Sequence, residues 1–498
     1  MAGGMLGLAL SLALGPLSVA ASAPWPAWRG DGSGHASGSD FPTEWSDTKN
    51  IRWRTAVEGY GWSCPVIAGN RIFLTTAIAE KQKAPLRKGP GGGEPAPDTV
   101  YRWEVHCYDR TTGKLLWKQK AAEHKPRSGN HLSNTFASET PVTDGERVYA
   151  YIGQVGVFCY DLDGKLLWSH DLGAYRTQGN WGTSSSPALE GNRLFVLCDN
   201  AERSFLVAFD TKTGKELWRV NRNEGTTWSS PIIWRNTART ELVVMGSGYN
   251  RGYDLATGAE LWRCASERSI GGGGGGPGGP PPAGGKSKGP PGKNGVPAAA
   301  VGEPKGKGAP PARSGKTGSG GCKASPVATR EMLYVGMSPK ITATELGPLW
   351  AIKPGASGDI SLKPGETSNA FVAWFRMDAG PHFTSSVVVE GLIYTFPPHD
   401  RGVLSCFDAR TGATVYEAPL PGASAFKASP VAFGGKLFAT DEGGTTFVIQ
   451  AGRTFKLLAK NPLDAMTWSS PALADGAIYL RTVSHLLCIQ NSTANPNS

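Results

Sequence analysis

Two short patterns alternate along this chain, and their spacing restricts its fold more than any other feature. The first is an Asp, a turn holding Gly, and an apolar run ending on an aromatic. It occurs as YDRTTGKLLW (108–117), YDLDGKLLW (160–168), FDTKTGKELW (209–218), YDLATGAELW (253–262) and FDARTGATVY (407–416). The second is a small polar run, usually ending in Pro, then two apolar residues and a Gly turn. Full versions are SCPVIAGNRIFL (63–74), ETPVTDGERVYA (139–150), SSPALEGNRLFV (185–196), ASPVAFGGKLFA (428–439) and SSPALADGAIYL (469–480). Shorter versions at Ser229-Ser230-Pro231, Ser325-Pro326 and Ser385-Ser386-Val387 bring the number to eight.

Where no insertion intervenes, Pro141, Pro187 and Pro231 follow one another at 46 and 44 residues, and Val387, Pro430 and Pro471 at 43 and 41. A period in the low forties, with short strands and Gly turns, is that of a four-stranded propeller blade. The Asp and Thr side chains cap local backbone groups in the turn, and Gly accepts positive φ there. The chain also begins with an isolated strand of the first type, NIRWRTAV (50–57), and stops after HLLCIQ without one. The early strand can therefore complete the last blade and remove an exposed sheet edge. These features predict an all-β, eight-bladed propeller of four-stranded antiparallel blades. Seven blades is the alternative if the weak unit between Pro326 and Val387 is irregular. No Trp-Asp dipeptide occurs, which disfavours a WD-repeat propeller.

The formal charge of +10 invites a nucleic-acid reading, and its distribution removes it. Residues 271–320 hold 19 Gly, 10 Pro and seven cations against Glu303 alone. With the loop at 81–100, which carries four cations and two anions, they account for most of the excess. The long insert, bounded at 266–321, has no aromatic residue to stack a base. Its composition predicts a solvated, disordered loop within the propeller, with a weak contact to anionic surfaces as the functional alternative.

Residues 1–28 carry no charged side chain, and the apolar stretch from Met5 to Ala21 closes on small residues. This resembles a secretory signal over 1–21, with an uncleaved membrane anchor as the alternative. Export to the periplasm or beyond is the expected localisation, and no Cys follows the apolar run to take a lipid anchor. Cys107, Cys159, Cys406 and Cys488 occupy one repeat position, where a further copy carries Ala208, so they read as small core residues. Cys264 and Cys322 flank the insert and are the one pair placed to bridge its base.

The copy AFDTKTGKELW (208–218) resembles the tryptophan-docking repeat of the quinoprotein-like, or PQQ-like, β-propellers over residues 45–490. NTFASETPVTDGERVYAYIG (134–153) is similar to exported repeat proteins of that family of the planctomycete type. The resemblance implies that each Trp packs between neighbouring blades. It is specific for fold and uninformative about activity, because one fold hosts unrelated functions.

In a propeller, the segments entering the innermost strands surround the central channel. Here they carry the aromatics Trp62, Phe136, Trp181, Trp228, Phe383, Phe426 and Trp468, and polar neighbours that include Asn180 and Glu224. The candidate ligand face comprises Trp62, His131, Asn134, Glu139, Trp181, Trp228, Lys323, His382, Lys427 and Trp468, a mixture typical of ligand pockets. The competing reading makes the aromatics wedges between blades and the histidines ordinary hydrogen-bonded residues.

Two function classes follow. The first is an exported noncatalytic scaffold, binding an envelope protein, peptide or glycan, with no cofactor. The second is an oxidoreductase, an alcohol or sugar dehydrogenase, using pyrroloquinoline quinone (PQQ) and calcium. That chemistry needs a cation for the quinone carboxylates, a carboxylate base and oxygen ligands for the ion. Lys323, Lys427, Glu139, Glu224 and Asp359 are available, and no spacing singles them out. The chain also lacks the adjacent-Cys pair that many dehydrogenases of the family stack on the quinone. No nucleophile elbow, zinc-protease motif or phosphate-binding loop occurs.

Overall fold

The computed structural model describes residues 24–38, 40–81, 92–266, 322–337, 347–396 and 402–492. The signal region at 1–21, residues 82–91 of the first loop and nearly all of the 266–321 insert lie outside them.

Eight four-stranded antiparallel units form the propeller. Their first strands are Val66–Ala68, Val142–Thr143, Ala188–Glu190, Ile232–Arg235, Val327–Ala328, Val387–Val389, Val431–Phe433 and Ala472–Ala474, which number blades 1 to 8. First strands of adjacent blades touch, so they form the wall of the central channel. The blade between Pro326 and Val387 is complete, which decides for eight. Blade 8 takes its fourth strand, Ile51–Ala56, from the start of the propeller, paired antiparallel with His485–Gln490. Closure therefore joins the two ends of the sequence in one sheet.

Burial follows from this arrangement. Second and third strands, such as Arg147–Ile152 and Gly156–Asp161, are buried almost throughout because both sheet faces pack on neighbouring blades. Fourth strands alternate, as Ile51–Ala56 does, with one face on the next blade and the other in solvent. Each interblade seam is its own apolar core, for example Tyr149 and Tyr151 of blade 2 with Leu194 and Val196 of blade 3.

The tryptophan-docking pattern acquires a geometry. The indole N–H of Trp53, Trp117, Trp168, Trp218 and Trp374 donates to the carbonyls of Arg110, Leu162, Thr211, Leu255 and Ala409, at 2.9–3.1 Å. Each acceptor sits in the Asp–Gly turn of the following blade. Asp210 holds that turn by accepting the Thr213 N–H and hydroxyl at 2.9 and 2.8 Å. At its corner Gly214 has φ +71, and a Cβ there would stand 2.6 Å from the Trp168 ring. Glycine is required twice over, by conformation and by the approach of the indole.

The residue paired with each of these aromatics on the third strand is small: Cys107 opposite Trp117, Cys159 opposite Trp168, Ala208 opposite Trp218 and Cys406 opposite Tyr416. All eight cysteines are buried thiols, including Cys264 and Cys322, so the pairing across the insert does not form.

Trp262 departs from the pattern. Blade 5 has no Asp–Gly turn to receive it, and its indole donates instead to the buried Glu241 carboxylate at 3.0 Å. A short strand from blade 5, Gly358–Asp359, adds in parallel to the outer edge of blade 4 beside it.

Candidate functional site

The channel is a cup with three tiers, the middle and upper ones set by position relative to the small polar residue of the second repeat pattern. The middle tier is a closed ring of hydrogen bonds between successive blades. The backbone N–H of Cys64 donates to the Thr140 hydroxyl, and Thr140 to Ser186, each at 2.9 Å. The chain of donation continues from Ser186 to Ser230, Ser325, Ser385, Ser429 and Ser470 at 2.8–2.9 Å. It closes from Ser470 to the Cys64 sulfur at 3.2 Å. This explains why the repeat demands Ser, Thr or Cys: each side chain satisfies a backbone donor one blade away that faces the channel. The ring also corrects the register of blade 6. Ser385 is the ring member there, so Ser386, and not Val387, stands where the other blades carry Pro.

The upper tier lies two residues earlier, on the same face of the extended chain. It runs Trp62, Ser138, Ser184, Trp228, Lys323, Phe383, Lys427 and Trp468 around blades 1 to 8, and all eight line one cavity of about 520 Å³. Trp62 and Trp468 stack at 5.7 Å, and Trp228 meets Trp181 at 5.4 Å. Across from the two serines, consecutive blades present Lys–Phe–Lys. The Lys323 and Lys427 ammonium nitrogens stand 4.3 and 3.5 Å from the Phe383 ring centroid. Such contacts stabilise a cation. Lys323 Nζ is also 3.1 Å from His382 Nε2.

The lower tier is the segment 24–46, which lies outside the repeats. It crosses the far ends of the first strands, bridging Trp25 to Ile67 of blade 1 and His35 to Ala432 of blade 7. The Thr143 N–H of blade 2 donates to the Pro26 carbonyl, and His35 Nε2 lies 2.6 Å from the Val388 carbonyl of blade 6. Trp28 lines the cavity from this side. Next to it Arg29 is fully buried, its guanidinium 5.4 Å over the Trp28 ring. Only its Nη2 has a bond, to the Ser33 carbonyl at 3.2 Å, while Nε and Nη1 have none among the described residues. Burial lowers this guanidinium to about 10.

Nine of the ten candidate residues read from the sequence line the cup: Trp62, His131, Asn134, Trp181, Trp228, Lys323, His382, Lys427 and Trp468. Glu139 does not. It precedes ring residue Thr140, so the alternation of an extended chain turns it into the wall, where it accepts the Gly153 N–H at 3.3 Å. Burial pushes its carboxyl up to about 7. Phe136 and Phe426 are likewise turned away, packing on Tyr101 at 4.9 Å and on Phe396 at 4.2 Å. Asn180 is absent from the cup wall too.

The sequence reading missed Ser138, Ser184 and the ring hydroxyls, which were legible from the fixed offset of two residues. It also missed Trp28 and Glu442, which no repeat position marks. Part of the 81–100 loop reaches the cup: Gly93–Glu94 pairs with Asn130–His131 beside the rim.

The quinone reading can be tested on the donor set. Among the described residues Glu442 is the one carboxylate in the cavity wall. Glu224 is held by Arg251 and the Gly248 N–H, the latter at 2.6 Å. Asp359 sits on the outer edge of blade 4. Among the described residues no group of three His, Cys, Asp or Glu side chains is placed to hold a metal ion. Glu139, Glu224 and Asp359, the carboxylates available for that chemistry, are therefore not gathered in the cup wall.

Fold and site together define a closed eight-bladed propeller with a blind cup, aromatic and cationic at its collar. Residues 102–275, about a third of the chain, match the family model described as outer membrane protein assembly factor BamB. The repeats of that stretch are similar to those of that family. No curated protein matches the chain.

Similar solved structures include BamB from Moraxella catarrhalis, at 11% identity and TM-score 0.48, covering 85% of this chain and 98% of that one. Sqt1 from Saccharomyces cerevisiae stands at 9% and 0.47, covering 86% and 100%. Quinohemoprotein alcohol dehydrogenase from Comamonas testosteroni stands at 11% and 0.39, covering 97% and 83%. The planctomycete affinity has no counterpart among these matches.

Proposed function

We propose that this protein is an exported, noncatalytic propeller of the cell envelope that binds its ligand or partner in the cup. The observation that carries the reading is the composition of the collar. It offers stacked indoles, a phenyl ring and two ammonium groups around a cavity of about 520 Å³. These are groups suited to holding a ligand, and among the described residues Glu442 is the single carboxylate beside them. A propeller suits such a role because its closed ring of blades holds the collar rigidly, and a site already in its bound shape loses less freedom on binding. Placement in the envelope is supported by the BamB-type repeats and by the apolar, uncharged start of the sequence.

The test is binding of the purified chain to arrays of envelope glycans and peptides, with Trp228→Ala and Trp468→Ala variants alongside. The expected result is a small set of shared ligands lost in both variants. Hits that survive both collar variants would move the binding site elsewhere, and the reading would fail.

A further inference from the structure

The cup is rich in hydrogen-bond donors, and that asymmetry defines the ligand it takes. In the ring, the hydroxyls of Ser186, Ser230, Ser325, Ser385 and Ser429 each accept a backbone N–H from the preceding blade. Among the described residues none of these five donates a bond in return, so each O–H is available to an occupant. A hydroxyl that accepts one bond keeps its O–H, which can be donated to an acceptor group on a partner. Above the ring, Lys323 and Lys427 supply donor-only ammonium groups on either neighbour of blade 6, and among the described residues Glu442 is the carboxylate that lines the cup with them. Below it, Arg29 places a third cation next to the cup floor, with two N–H groups that meet no acceptor among the described residues.

The apolar part of the collar constrains the rest of the ligand. The Trp62–Trp468 pair lies nearly parallel, at 18° between planes, and adjoins Lys427 at 5.7 Å from the Trp468 ring. A ligand reaching the lysines therefore carries a ring-shaped body that rests against an indole face. A pyranose does this through its C–H face while its oxygens meet the donors beneath.

Resting on the reading of the cup as a binding site, we infer that its ligand is an acidic saccharide. The carboxylate of a uronic-acid unit meets the Lys323 and Lys427 ammonium groups beside Phe383, its ring lies against the Trp62–Trp468 side, and its hydroxyl oxygens accept from the serine ring. The ammonium groups recognise the oxyanion. The cup's blind floor makes recognition end-on, with a chain leaving through the mouth.

The experiment is calorimetric titration of the full chain with trigalacturonic acid and with its methyl ester, which keeps every sugar contact and removes the charge. The expected result is measurable binding of the acid, with the ester at least tenfold weaker. A Lys323→Met, Lys427→Met double variant should bind acid and ester alike. The comparison on the unaltered protein stands even if the variant folds poorly. Equal binding of acid and ester by the unaltered chain overturns the inference.

Binding of neither compound overturns it as well, and the array separates the cases. Collar-dependent hits among neutral glycans or peptides leave the cup as a binding site with another ligand. No collar-dependent hit at all removes the underlying reading too.

Discussion

Replacing Gly214 by alanine tests whether the indole–glycine contact carries the interblade seam, because a second glycine provides the control. Gly214 and Gly191 both hold positive φ, at +71 and +56. A Cβ at Gly191 meets nothing within 4 Å, whereas at Gly214 it falls 2.6 Å from Trp168 Cδ2. Alanine in the left-handed region costs about 1–2 kcal/mol by itself, which both variants share. Only Gly214→Ala must also move the indole. That forfeits its bond to the Thr211 carbonyl, a net loss of about 0.5–1.5 kcal/mol. It also forfeits part of the ~3–5 kcal/mol that a packed Trp contributes relative to Ala.

The expected totals are ~1–2 kcal/mol for Gly191→Ala and ~3–5 kcal/mol for Gly214→Ala, read by urea denaturation with the slope checked for constancy. In a Trp168→Ala background the cost of Gly214→Ala should fall to that of Gly191→Ala, as expected for two groups in direct contact. Equal costs in the two glycine variants, or no relief in that background, would refute the reasoning.

Two further outcomes follow from the cup and its wall. Ser230→Ala orphans the Ser186 N–H and should cost about 1–3 kcal/mol, while Cys64→Ser, which restores the hydroxyl found at most ring positions, should be neutral or stabilising; urea titration measures both. Burial raises the Glu139 carboxyl to about 7, so between pH 4.5 and 7 the folded chain binds more protons than the unfolded one. Its contribution is present in full below the unfolded value and is lost as pH rises toward and through 7, on the order of 3 kcal/mol. Glu139→Gln should flatten that slope, read as unfolding midpoint against pH. Asp199, raised to about 6 by burial, adds a slope of the same sign that remains in the variant.

Much of the fold was written in the sequence because the repeats are local. Each Asp–Gly turn specifies itself, and the period, together with the unpaired strand at 50–57, specifies closure. What stayed hidden depends on partners far away in sequence. The ring bond from Ser186 to Ser230 spans 44 residues, and the one from Ser470 to Cys64 spans 406. The preference for small polar residues was visible, and its cause was not.

The one-residue slip in blade 6 follows from the same blindness, since Ser385 and Ser386 are indistinguishable until a neighbour selects one. Glu139 was misplaced because composition cannot tell which side of an extended chain faces a channel. The floor at 24–46 carries no repeat, and its role exists only once the blades give it somewhere to lie. Trp262 looked like the other docked tryptophans because the turn it lacks belongs to the next blade.

The cup is proposed to bind its ligand without turning it over. Reconstitution of the purified chain with pyrroloquinoline quinone and Ca²⁺, followed by desalting, absorbance and dye reduction with alcohols and sugars, tests this directly. The expected result is that no quinone is retained and no dye is reduced. A stoichiometric bound-quinone spectrum with substrate-dependent dye reduction would contradict it.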